Sequence, residues 1–390
     1  MEKKVAIIGS GLSAVAAHMA LKNFNVNVTV FSGMGGHGVK YRTNNPASIQ
    51  TYGGLGNDWH GVFPFGRSST VSSAGKCRLL RHWYPDLLND NFSFEKDFIF
   101  VPKNPIRPKK YWQGESSIVV IKGNILSIKK NDNLLQLECD DGNLYEFNDC
   151  YIATGFFEFL KITVRSNLVP NSVSYKGYDH INGTLGYVRY KDILRLGLDK
   201  IVYLKSGHLK KYLLISHREI GEILITFRPA TFDFRPNFKK NKISSDLFSN
   251  KKYLILKKIL LKPSLGKIIE ALYNKFGLKI NCEYYSAHYQ VLTPVKENSN
   301  VLTHVIDRHD FEKIQHIFEI KSNLTLEHPL DFNYYPGTHL QVDFDKAVVK
   351  RLKDNNIHVV GNSVYGSKLA GHHSFNSMAK TFDYVSSTAR

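Results

Sequence analysis

Gly9-Ser10-Gly11-Leu12-Ser13-Ala14 has the spacing G-x-G-x-x-A, and it lies between the β-branched run Val5-Ala6-Ile7-Ile8 and a helical pattern of Leu12, Val15, Ala16, Met19 and Ala20. That spacing suits a phosphate cradle. Gly9 would make a tight turn, Gly11 would let backbone approach a pyrophosphate, and Ala14 would allow close helix packing, while the helix N-terminus attracts negative charge. Ser13 falls inside the same turn. Val26 to Phe31 reads as a second strand, and Ser32 stands where an acidic residue would hold ribose hydroxyls. The ribose grip is therefore weakened, or its contact is moved elsewhere.

The elements needed to position such a cradle can be read further along the chain. Tyr151-Ile152-Ala153-Thr154-Gly155 reads as a strand ending in A-T-G, a pattern found in many flavoproteins with two dinucleotide folds. The strand-rich stretch 117 to 150, with the turn Asp140-Asp141-Gly142, precedes it as a meander would. Asn356 to Ser363 reads as strand and turn, and a closing helix follows Gly371-His372-His373-Ser374-Phe375-Asn376-Ser377-Met378-Ala379. Runs at 201 to 204, 212 to 216, 222 to 228 and 283 to 292 suggest a further sheet. The expected fold is α/β: a Rossmann-like domain with a parallel sheet, residues 1–165 plus 340–390, interwoven with a mixed-sheet substrate domain, 166–339.

Tyr52-Gly53-Gly54-Leu55-Gly56-Asn57-Asp58-Trp59-His60-Gly61 resembles the loop that runs along the flavin in glucose–methanol–choline oxidoreductases, especially the pyranose-oxidase-like branch. The terminal strand, loop and helix are similar to that family's as well, as are Asp179-His180 and the stretch 290 to 302. The resemblance implies FAD, held by Gly9, Gly11, Ser13, Ala14, Ser32, Gly53, Gly54, Asn57, Asp58, Trp59, Ala153, Thr154, Gly155, Asn362, His372 and Ser374. Some members of that branch bond the flavin covalently through a His just before the loop Trp. Here Asp58 holds that position and His60 lies beyond Trp59, so non-covalent FAD is expected. Tyr335-Pro336-Gly337-Thr338-His339 is similar to the segment that supplies the family's catalytic histidine, which implies His339 as base and His373 as its partner. An alternative alignment puts Tyr335 at the base position. The implied reaction is oxidation of a sugar or polyol hydroxyl by hydride transfer to flavin N5, with the proton taken by a near-neutral imidazole.

Composition sets the outer bounds. With 43% apolar and 12% aromatic residues among 390, the chain can build large cores. No apolar run reaches the roughly 18 residues of a membrane-spanning helix. Cys77, Cys139, Cys150 and Cys282 are widely spaced, so neither a disulfide framework nor a metal site is expected. The net charge is +18, and residues 239 to 279 carry half of it, eleven lysines against Asp246 and Glu270. Tyr253-Leu254-Ile255-Leu256 and Ile259-Leu260-Leu261 alternate with these lysines. The stretch reads as a basic helical segment that either lies on an anionic membrane surface or presents a solvated face. No nucleic-acid-reading motif appears. The expected location is cytoplasmic, with or without attachment to the inner membrane face, and the sequence names no electron acceptor. Two other classes stay open: a redox-neutral flavin-dependent isomerase, and a non-catalytic nucleotide-binding protein.

Overall fold

In the computed structural model the described residues are 2–33, 40–41, 52–54, 56, 63–65, 78–81, 83, 98–100, 105–170, 173, 175–196, 202–205, 208–229, 284–298, 301–336, 340–365 and 373–389. Five strands, β1 (Lys3–Ile8), β2 (Val26–Ser32), β3 (Val119–Lys122), β4 (Asp149–Ile152) and β5 (Ile357–Val359), form one sheet in the order β5-β4-β1-β2-β3. Every neighbouring pair is parallel. The central strand β1 explains the unbroken apolar run. Val5 and Ile7 enter one core and Ala6 and Ile8 the other, so both faces of the strand are buried. The chain moves outward from β1 through β2 to β3, then returns to the other side of β1 for β4 and β5. The reversal falls between β1 and β4, and in sheets of this kind ligands bind outside the C-terminal ends of the strands at such a point.

Helix α1 (Leu12–Leu21) is buried at every residue except Ser13. It packs on the sheet and against the C-terminal helix α4 (His373–Thr388), and Ala14, Ala16, Ala17 and Ala20 keep the approach close. From α4, Phe375, Met378, Ala379, Phe382 and Val385 enter the same core. Helix α2 (Phe156–Arg165) follows β4 and buries Phe156, Phe159, Ile162 and Thr163 on one face of the second core, a spacing that follows the helical period. Helix α3 (Lys346–Asp354) is capped by the Asp345 carboxylate, which accepts from the Ala347 N–H at 2.7 Å, and it leads into β5.

Within β5, His358 stacks on Tyr151, with centroids 4.6 Å apart, and its Nδ1 lies 3.0 Å from the Tyr384 hydroxyl. Burial lowers its pKa to about 4; Lys353 and Lys3 push the same way, and Asp149 opposes them.

The strand-rich stretch before β4 divides in two. Val119–Lys122 joins the parallel sheet, while Ile125–Asn131, Leu134–Cys139 and Leu144–Phe147 form a separate antiparallel meander. The expected turn is there: Gly142 takes φ +83° and the Asp141 carboxylate accepts from the Asn143 N–H at 2.9 Å.

The chain separates into two compact units, Met1–Ile181 with Val291–Val305 and Pro336–Arg390, and Asn182–Gln290 with Ile306–Tyr335. The first holds the parallel sheet, together with the pairing of 175–178 with 341–344 and of 295–298 with 301–304. In the second, Val202–Lys205, His208–His217 and Gly221–Pro229 form an antiparallel run, so the expected strand segments are present. Its helix Arg308–Ser322 starts with a reciprocal capping box between Asp307 and Asp310. His288 is a satisfied core histidine there, with Nδ1 3.1 Å from the Thr184 hydroxyl and Nε2 2.9 Å from that of Ser286. The basic stretch 239–279 lies outside the described residues. No described helix is long and apolar enough to cross a membrane.

Candidate functional site

The two glycines of the first turn have different tasks. Gly9 follows β1 with φ +108°, donates its N–H to the Phe31 carbonyl at 2.8 Å, and backs onto the end of β4. A Cβ there would lie 2.7 Å from the Ala153 carbonyl oxygen, so this crossing admits only glycine. Gly11, the residue that caps α1, has an ordinary extended conformation (φ −75°), and a Cβ on it would meet nothing within 4 Å. Its missing side chain is not needed for packing; it leaves open space at a helix N-terminus. Among the described residues that N-terminus has no side-chain cap and no acidic residue in its first turn, the arrangement in which the first amides and the dipole of a helix can attract an anion.

Ser10 ties four segments together. Its hydroxyl lies 2.8 Å from the Ser32 hydroxyl at the end of β2, and it accepts the Gly53 N–H at 2.8 Å. The Trp112 indole donates to the Ser10 carbonyl at 2.7 Å. The second glycine-rich segment is thereby laid onto the first. Gly53 and Gly54 take φ +86° and +56°, and a Cβ on Gly54 would come 3.9 Å from the Gly11 Cα. At Gly56 a Cβ would meet Leu12 Cγ at 2.7 Å. Beside this segment, burial pushes the Tyr52 phenol up, which keeps it neutral.

The ends of β4 and β5 close the other side. Ala153 donates to the Ile8 carbonyl at 2.8 Å, and Val360 donates to the Ile152 carbonyl at 3.0 Å. The Ser363 hydroxyl donates to the Thr154 carbonyl at 3.1 Å. Gly361, at φ +85°, brings its backbone against α1, where a Cβ would lie 2.6 Å from Ser13 Oγ. That hydroxyl is 3.3 Å from the Ser377 hydroxyl of α4. Asn362 opens the short helix Asn362–Tyr365, and Gly155 is the residue that caps α2. Ser374 is half-buried in the first turn of α4. Thr154 Oγ1 is buried without a hydrogen-bond partner, a costly state that a bound polar ligand would relieve.

Of the expected cofactor residues, Gly9, Gly11, Ser13, Ala14, Ser32, Gly53, Gly54, Ala153, Thr154, Gly155, Asn362 and Ser374 are described. All lie at or just beyond the C-terminal ends of β1, β2, β4 and β5, or on segments packed there. Ser32 points inward to Ser10 rather than outward. Asn57, Asp58, Trp59, His60, His339 and His372 lie outside the described residues, and His373 is placed only as the first residue of α4. Sequence reading missed Ser10, Trp112, Gly361 and Ser377. The only signal for Ser10 is that it and Ser32 are both serines at adjoining strand ends.

No family model and no curated protein matches the chain. Solved structures do. A salicylate hydroxylase in complex with substrate is 10% identical with a TM-score of 0.43, over 98% of this chain and 79% of that one. The 2,6-dihydroxypyridine-3-hydroxylase of Arthrobacter nicotinovorans is 12% identical with a TM-score of 0.40, over 99% and 82%. Klebsiella pneumoniae HpxO in complex with FAD is 8% identical with a TM-score of 0.39, over 98% and 80%. These neighbours belong to the FAD-dependent monooxygenases, not to the glucose–methanol–choline oxidoreductases, and the resemblance to the latter is corrected accordingly. The physical reason is that a glycine turn, a glycine-rich loop and a terminal strand and helix are what a dinucleotide-binding sheet requires in general, so they do not separate one flavoprotein branch from another.

Proposed function

We propose that this chain is an FAD-dependent oxidoreductase that holds its flavin non-covalently across the ends of β1 and β4. The observation that carries this is the pairing of Gly9 and Gly11 at the reversal of strand order: one glycine is demanded by packing, and the other leaves room in front of a helix N-terminus. The residues fit such a group. The amides of α1 would hold the pyrophosphate, the Gly53–Gly54 segment would lie along it, and the Thr154 hydroxyl would gain a polar partner. When bound, the flavin supplies the two-electron chemistry, and the chain supplies position and electrostatics. The sugar substrate implied by the glucose–methanol–choline resemblance falls with that resemblance; His339 lies outside the described residues, and His373 opens α4.

Purified protein is expected to be yellow, and its flavin is expected to bleach anaerobically with a nicotinamide nucleotide or an organic substrate. Acid precipitation should leave all of the flavin in the supernatant as FAD. Flavin retained in the pellet would show a covalent link, and protein that neither carries nor takes up FAD would overturn the reading. Thr154→Val tests the fit of the cradle. It should leave the melting temperature of the flavin-free protein unchanged or slightly raised, because a buried unsatisfied hydroxyl is removed, while FAD binding weakens by about tenfold.

A further inference from the structure

Ser32 occupies the position where a carboxylate ordinarily grips the adenosine ribose of a bound dinucleotide. It offers a ligand nothing. The residue is fully buried, its hydroxyl is engaged with Ser10 at 2.8 Å, and its carbonyl accepts the Gly123 N–H at 3.1 Å. The Ser10 hydroxyl is used in turn by the Gly53 N–H, so the pair joins the end of β2 to the second glycine-rich segment instead of facing outward. Lys122, the register partner of Ser32 on β3, is exposed, and the carboxylate described beside this strand end, that of Asp140, is engaged by the Asn124 backbone N–H at 3.0 Å and side-chain amide at 2.6 Å.

We propose that this chain binds the adenosine half of its dinucleotide without reading the ribose 2′-hydroxyl, and that the Ser10–Ser32 pair transfers recognition to the pyrophosphate by fixing the Gly53–Gly54 segment over Gly11. Ser10 is thus a positioning residue that acts through the backbone of Gly53. The consequence is a relaxed choice of nucleotide: adenosine diphosphates altered at the ribose 2′ position are accepted as readily as the parent. This inference rests on the dinucleotide reading above.

Competition against FAD on the full-length protein tests it, with displaced FAD followed by its fluorescence. ADP and 2′-deoxy-ADP are expected to compete with inhibition constants within about twofold of each other. A gripped 2′-hydroxyl would cost the deoxy compound about tenfold or more, since a hydrogen bond to a charged group is lost. That result would overturn the inference and leave the flavin reading standing. Failure of the wild type to bind FAD or ADP would overturn both. Ser10→Ala should weaken ADP and 2′-deoxy-ADP by the same factor, about tenfold, with Ser10→Thr restoring affinity because the hydroxyl is retained. Unchanged affinity in Ser10→Ala, or a ratio of the two nucleotides that shifts with the substitution, would refute the positioning role.

Discussion

Gly11→Val is expected to fold like the wild type and bind no FAD, whereas Gly9→Val is expected to be strongly destabilised. A valine at position 11 meets no protein atom within 4 Å at its Cβ and sits at φ −75°, which any residue adopts. It fills the space in which a pyrophosphate would lie, so affinity should fall by about a hundredfold or more, which is about 2.7 kcal/mol. At Gly9 the same change drives a Cβ to 2.7 Å from the Ala153 carbonyl at a left-handed backbone position, and both the central strand and β4 would have to shift. Several kcal/mol are at stake, from about 1–2 for the backbone and 1–3 or more for overpacking. Thermal melts of flavin-free proteins separate the cases. Gly11→Val should melt within about 2 °C of the wild type, and Gly9→Val about 10 °C lower or as aggregate. Full flavin content in Gly11→Val would show that the pyrophosphate does not lie there.

The second large effect concerns pH and has no link to the cofactor. His358 is held neutral in the core, with its pKa lowered to about 4 chiefly by burial. In the unfolded chain it would titrate near 6.5. As pH falls through 6.5 the unfolded chain gains a proton that the folded one refuses, so stability is full above about pH 7 and declines until about pH 4, where both forms are protonated. The total is about 3 kcal/mol, of which about 2 is lost between pH 7 and pH 5. His358→Phe, which keeps a ring against Tyr151, should remove most of that slope. Urea denaturation at pH 7 and pH 5 would measure it, and an equal slope in the variant would assign the acid sensitivity to other groups.

What could be read from the sequence was what depends on neighbours in the chain. The strand, glycine turn and helix at 3–21 were legible because burial on both faces of β1 demands an unbroken apolar run, and because a tight turn before a helix demands glycine. The A-T-G strand end and the Asp140-Asp141-Gly142 turn are local in the same way. The strand order was not legible, since β4 and β5 reach the far side of β1 from well over a hundred residues away. Ser10 escaped notice for the same reason: its partners are 22, 43 and 102 residues distant. Nor does anything near Asn356 to Val360 reveal that His358 would be stacked in a core. The family resemblance failed because glycine-rich segments report the demand for close backbone approach, which many flavoproteins share.

The contact between Ser13 and Ser377 joins residues 364 apart in the chain. It has a consequence for synthesis. At 5–20 residues per second, α1 leaves the ribosome on the order of tens of seconds before α4 exists to cover it. During that time the apolar flank of α1 that Phe375, Met378 and Phe382 later cover has no native partner, and the nucleotide cradle lacks one wall. A nascent chain halted before residue 373 presents an alanine-rich helix without this cover, an apolar surface of the kind holdase chaperones bind.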